Sequence, residues 1–344
     1  MRIHLVRLLV ATLFLSVVPV RAANFDIEFG QFTISVSESW TAQVFHMVDQ
    51  LAEWDDSSHR AYLRWARSNL TLDAKDRQML QKHAEMRRAR GWGNGFEQAF
   101  LVDDSIQNAT ARAVTAKLLS AEEAESEGAI LLHFAPKLTA LREKAQGQLD
   151  AFKSRLVAEH ERLTPLFDKL LRFTETKSAV KVPVFLVANS EETSGGGEAN
   201  GGRIVVEVPA PGPIGALLHE SLHVLLTPHL DEIKAAAESA GIRWQNLNEG
   251  IVYALAPGLT DNPTETDSIA EQVARYLARG TPASDNYVQS YMIASVIRPV
   301  LRASDTKRLD SVRGRESAAV DRNNVRAGQP VCRRARVPRR WHTP

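Results

Sequence analysis

Cysteine is nearly absent from this 344-residue chain: Cys332 stands alone, close to the carboxyl terminus. A single thiol excludes an internal disulfide framework, a cysteine-ligated zinc module and an iron–sulfur cluster. Its arginine-rich surroundings read as unfolded, which argues against a cysteine nucleophile. Long apolar runs are lacking too. The longest, Leu8 to Val20, covers about 13 residues, short of the roughly 20 that a membrane-spanning helix needs. There is no P-loop, no dinucleotide fingerprint and no serine nucleophile elbow, which removes the support for three large enzyme classes. The Gly195-Gly196-Gly197 run is followed by neither a lysine nor a helix start at phosphate-cradling spacing. What is present is the composition of an ordinary folded protein, 44% hydrophobic and 24% charged. It is long enough for one large domain or two modest ones.

The near-neutral net charge of +1 hides a strong asymmetry. Residues 1–22 combine Arg2 and Arg7 with the apolar run and then Val20-Arg21-Ala22, small residues suited to cleavage. This pattern reads as a secretory signal, with an uncleaved anchor as the alternative. It predicts an exported protein without stable membrane insertion after cleavage; the lack of paired cysteines points to a bacterial periplasm or the medium. At the far end, residues 312–344 hold nine arginines, no lysine and two acids, a net +7, while residues 23–311 sum to about −9. Such a tail could meet anionic surfaces. It has no aromatic interleaving beyond Trp341 and no recognisable nucleic-acid module, so it reads as a basic disordered tail and no nucleic-acid partner is expected.

Between the ends the chain predicts an α+β protein. Residues 31–38 alternate apolar and polar side chains like a half-buried strand, and helical periodicity then dominates to about residue 175. Ala74 to Arg90 is rich in helix formers and stops at the breaker Gly91-Trp92-Gly93-Asn94-Gly95. Ser120 and Glu123 form a capping box that opens another helix, and a further pattern runs from about Pro136 to Glu161 with Leu138, Leu141, Leu149, Phe152 and Leu156 on one face. The histidines of this region (His46, His59, His83, His133, His160) lack ligand spacing and read as surface or core residues. From Lys181 the texture changes to two β-branched runs, 182–188 and 203–208, joined by a Gly/Ser/Glu-rich loop. The expected organisation is a mainly helical region over 23–178 and a second domain over 179–311.

The chemistry concentrates in Pro213-Ile-Gly-Ala-Leu-Leu-His219-Glu220-Ser-Leu-His223-Val-Leu-Leu-Thr227. Proline suits a helix's first turn. His219 and His223 lie four apart, so on a helix both imidazoles leave the same face one turn apart, and two nitrogens so placed can bind one tetrahedral metal ion. Glu220 follows the first ligand and can reach a metal-bound water without binding the metal. The bland alternative is a buried amphipathic helix with stacked histidines, but those polar groups would then need other buried partners.

This His-Glu-x-x-His segment resembles the zincin metallopeptidases. Zinc needs a third protein ligand, and two residues compete. His229 completes the metzincin histidine spacing, although Leu226 stands where that group has the glycine of its helix exit. Glu249, in Asn248-Glu249-Gly250, resembles the glutamate-bearing segment of gluzincins, with 25 residues between it and His223, on a second helix, and is preferred. The resemblance to the gluzincin branch, specifically to peptidase-MA-like domains, covers about residues 180–300. It implies a small mixed sheet, an active-site helix and a glutamate helix. The same resemblance implies one zinc ion on His219, His223 and Glu249, with Glu220 as general base in the hydrolysis of a peptide or protein substrate through a zinc-bound water. Tyr287-Val-Gln-Ser-Tyr291 resembles the tyrosine segment that follows the glutamate helix there, which makes Tyr291 and Tyr287 the candidates for oxyanion stabilisation, with Tyr253 a weaker one. Asn248 is expected to orient a ligand, and strand 203–208 to be the sheet edge that aligns a peptide. The rival from another class is a non-catalytic binding protein on a zincin scaffold.

Overall fold

The computed structural model of the chain describes residues 24–55, 60–91, 95–189, 196–208, 213–255 and 269–303. The expected signal (1–22), the basic tail (312–344) and Cys332 lie outside the described residues. Within them the protein is α+β, with one five-stranded mixed sheet.

The strands are β1 (Phe25–Phe29), β2 (Phe32–Ser37), β3 (Val180–Ala188), β4 (Gly197–Asn200) and β5 (Arg203–Val208), in the spatial order β1-β2-β3-β5-β4. The three inner strands run parallel, and the two outer ones pair antiparallel with their neighbours. Successive side chains of a strand face opposite ways, which sorts the sheet into two cores. Ile34, Val36, Val182, Val184, Ile204 and Val206 face one cluster, whereas Phe185, Val187 and Val205 face the other. Strand β3 sits mid-sheet with helices over both faces, so it reads as a continuous apolar run.

Two sequence expectations are corrected by the sheet. The segment between the runs 182–188 and 203–208 is not all loop: Gly197–Asn200 forms β4. β4, not 203–208, is consequently the edge. The GEAN strand has no β-branched residue, so it carries little propensity of its own; pairing with β5 and the Gly201-Gly202 turn (φ 56° and 75°) define it. The sheet also draws β1 and β2 from before residue 178 and β3 to β5 from after it. The boundary expected between 178 and 179 therefore falls inside a sheet that both segments build.

One face carries α1 (Trp40–Leu51), α2 (Arg60–Asn69), α3 (Ala74–Arg90), α4 (Gly95–Phe100), α5 (Ile106–Thr115) and the first part of α6 (Ala121–Ala158). The capping box is present: Glu123 N–H donates to Ser120 Oγ over 3.2 Å, and Ser120 N–H donates to the Glu123 carboxylate over 2.9 Å. α6 then runs unbroken through Pro136, where the sequence predicts a new start. Pro136 and Leu132, four residues before it, are both exposed, so the carbonyl that loses its partner meets water. The later residues Leu149, Phe152 and Leu156 belong to the core on the opposite face, with α7 (His160–Phe173).

That second face holds α8 (Pro213–Leu226), which buries Ile214, Leu217, Leu218, Leu222 and Leu225 against it. Each such side chain contributes about 1.5–3 kcal/mol by leaving water. A short 3₁₀ turn, Thr227–His229, leads into α9 (Leu230–Ala240), closed by left-handed Gly241. The chain continues through α10 (Trp244–Leu255), α11 (Ile269–Ala278) and α12 (Asn286–Ala303). Gly250 lets α12 lie close on α10: a Cβ there would stand 2.5 Å from Ile293 Cγ2. Among the described residues no helix is long and apolar enough to cross a membrane.

Candidate metal centre

α8 and α10 bring His219, His223 and Glu249 together. Their Nε2 atoms are 3.2 Å apart. Glu249 places one carboxylate oxygen 3.3 Å from His219 Nε2 and the other 3.2 Å from His223 Nε2. Two ligand atoms each held about 2.0–2.1 Å from one tetrahedral ion lie about 3.3–3.4 Å apart; the two imidazoles have that separation, and one ligand atom from each of the three residues lies within 4.8 Å of the other two. The group is half-buried, which excludes most water while leaving a way in.

Asn248 supports the same assignment. Its amide nitrogen stands 2.9 Å from His223 Nδ1, while its amide oxygen is buried without a hydrogen-bond partner. A half-turn of the amide exchanges the two atoms. His223 Nδ1–H then donates to the oxygen, and the lone pair of Nε2 faces the Glu249 side. That is the tautomer a metal-ligating imidazole needs. The residues present therefore fit a divalent cation.

The carboxylates of the group favour positive charge beside them. Burial pushes the Glu249 carboxyl up, but the two imidazoles override it and hold it well below the usual carboxylate range. Burial opposes charge on His223, yet Glu249 and Glu220 outweigh it and raise its pKa. Glu220 is 7% exposed, and burial is the largest cause of its raised pKa, opposed by His219 and His223. The edge strand closes over it: a Cβ on Gly197 would meet Glu220 Cγ at 2.8 Å. Glycine at the head of β4 thus makes room for the carboxylate.

Aromatic rings wall the cluster. Tyr253 lies against His219, centroids 4.9 Å apart, and Tyr291 stacks on Tyr253 at 4.3 Å. Tyr287 is 47% exposed and stacks with Tyr276 of α11. Burial first, then neighbouring charge and phenols, raise Tyr287 and Tyr291 to about 12, so both are protonated donors at neutral pH.

His229 stands apart from this group. Its Nδ1 is 3.1 Å from Glu232 Oε2 and its Nε2 is 3.1 Å from the Thr174 carbonyl oxygen. Leu226 keeps right-handed helical backbone at φ −82°, so the left-handed exit that glycine permits in the metzincin pattern is not made. Of the two candidates for third ligand, Glu249 is the one the structure places beside His219 and His223. Tyr253 ranked last among the tyrosines on sequence, yet its ring is against a histidine; its position one turn after Glu249 was the available signal. Gly197 had no such signal, because the strand it opens was not legible.

No protein-family model matches the chain, no curated protein matches it, and no solved structure matches it.

Proposed function

We propose that the protein is an exported zinc-dependent metallopeptidase of the gluzincin type, acting on peptide or protein substrates. The observation that carries this reading is the convergence of His219, His223 and Glu249, with ligand atoms within 4.8 Å of one another, beside the buried carboxylate of Glu220, which is not one of them. The resemblance of the Glu220, Asn248-Glu249-Gly250 and Tyr287-to-Tyr291 segments to zincins adds to it, and so does the signal-like residues 1–22.

A zinc ion held by the three residues supplies Lewis acidity, acidifying water and polarising a carbonyl oxygen. The chain's own groups do the rest. Glu220 takes one proton of the attacking water while its oxygen bonds to the scissile carbonyl carbon. As the C–N bond breaks, Glu220 passes that proton to the leaving amine. Tyr291, its ring stacked on Tyr253, donates a hydrogen bond to the oxygen on which negative charge develops. Asn248 fixes the His223 ring by accepting a hydrogen bond from its Nδ1–H through the amide oxygen. The free side of β4 offers backbone N–H and C=O groups to an extended chain.

The test compares wild type with Glu220→Gln on a mixed peptide library, with metal content measured in both. The expected result is equal zinc and a loss of hydrolysis of about 10²–10⁴-fold, the usual weight of a positioned base. Equal cleavage by both proteins would remove Glu220 from the mechanism. Zinc binding with no cleavage by wild type would leave a binding protein in place of an enzyme.

A further inference from the structure

Beneath β4, on the face opposite the histidine pair, lies a polar cluster that the proposed reaction does not use. His46 of α1 is 1% exposed, and both its ring nitrogens face carboxylates. Nδ1 is 3.3 Å from Glu198 Oε1, and Nε2 is 3.0 Å from Glu207 Oε1. Two such contacts need two N–H donors, so the ring is an imidazolium. Burial alone disfavours that charge, but Glu198 and Glu207 outweigh it and raise the pKa from 6.5 to about 10.

The two carboxylates differ in how they are held. Glu207, on inner strand β5, also accepts from Asn189 Nδ2 over 3.1 Å and hydrogen-bonds the Tyr62 hydroxyl. It is an anchor. Glu198, on the four-residue edge strand, is tied down through His46. Its neighbour in the strand, Gly197, points the other way and closes over Glu220. A buried ion cluster contributes little net stability compared with apolar packing, so its value here is geometric.

We propose that His46 is a positioning residue: by bridging Glu198 to Glu207 it fixes the edge strand above Glu220 and so fixes where that carboxylate points. The catalytic consequence rests on the peptidase reading; the tether itself does not.

The experiment uses the full chain with zinc and two variants, Glu198→Gln, which keeps size and leaves the His46–Glu207 contact, and His46→Gln. Amide hydrogen exchange is followed in Gly197–Asn200 and in α8, alongside zinc content, kcat and KM. Exchange in β4 should accelerate about tenfold or more, the weight of one hydrogen bond to a charged group, while α8 and zinc content stay unchanged. With β4 loosened, kcat should fall by about the same factor and KM should move less; a merely structural role would lower the active fraction and leave the kcat of folded enzyme intact. Unchanged exchange in β4 for both variants overturns the tether, and unchanged kcat with a loosened β4 overturns the positioning role. Failure of wild type to hydrolyse any peptide refutes the peptidase reading instead, and the exchange data still decide the tether.

Discussion

Two clusters in this molecule are built from the same side chains and reach opposite solutions. In the helical layer, His83 lies 2.9 Å from both Asp49 and Glu127, and Arg87 reaches Asp49 at 2.7 Å and Glu97 at 2.5 Å. Every one of these side chains is buried, and two cations face three carboxylates with each donor aimed at an acceptor. At the group formed by α8 and α10, imidazole Nε2 faces imidazole Nε2, and a carboxylate faces both. Among the described residues, no guanidinium or ammonium is paired with these groups. The difference teaches how to read histidine–carboxylate groups: a closed network carries its own cations, whereas a metal site leaves that charge to be supplied.

Removing the central cation of the closed network should have the largest effect. Arg87→Leu leaves Glu97 buried without that cation and Asp49 with His83 as its remaining one, and should cost about 3–5 kcal/mol in a denaturant titration. Added zinc should not restore it. At the open cluster, Glu249→Ala or His223→Ala should weaken zinc at least about 100-fold by equilibrium dialysis, and should abolish the rise in Tm that zinc gives wild type. A metal-free His223→Ala protein that unfolds far more easily than metal-free wild type would break the contrast.

The closed network should also show in the pH dependence of stability. Burial opposes charge on His83, but Glu127 and Asp49 outweigh it and raise its pKa from 6.5 to about 9. Its contribution is therefore complete below about 6.5 and is lost as pH rises through about 9. Burial pushes Asp49 up, yet Arg87 and His83 draw it from 3.8 down to about 2, so its contribution is complete above 3.8 and disappears as pH falls through about 2. Unfolding midpoints of wild type should be highest between those limits, and His83→Gln should remove the part of the alkaline slope that runs through about 9, leaving that of His46 through about 10. The smallest effect is expected from His229→Ala: zinc affinity unchanged, with stability lowered by no more than about 1 kcal/mol for its lost contacts to Glu232 and Thr174. A large loss of zinc there would restore the metzincin alternative.

How much of this was legible in the sequence follows from range. Helix α8 was legible because proline at its start, an apolar body and histidines four apart are local signals. The Ser120–Glu123 cap was legible for the same reason. Glu249 was legible only by resemblance, since nothing local to α10 announces a ligand. The edge strand was not: GEAN has no strand propensity, and β4 exists because β5 is beside it. The partners of His46 and His83 lie 152 and 161 residues away for the first and 34 and 44 for the second, far beyond any periodicity. The sheet's assembly from residues 25–37 and 180–208 was hidden in the same way, because parallel pairing of β2 with β3 is a long-range choice.

The most direct measurement is the metal content of the purified full chain, by atomic emission, after equilibration with zinc and gel filtration, for wild type and for the triple variant His219→Ala, His223→Ala, Glu249→Ala. One zinc per wild-type chain and none in the variant is the predicted result. Equal zinc in both proteins, or none in wild type, would contradict the shared-cation account of α8 and α10.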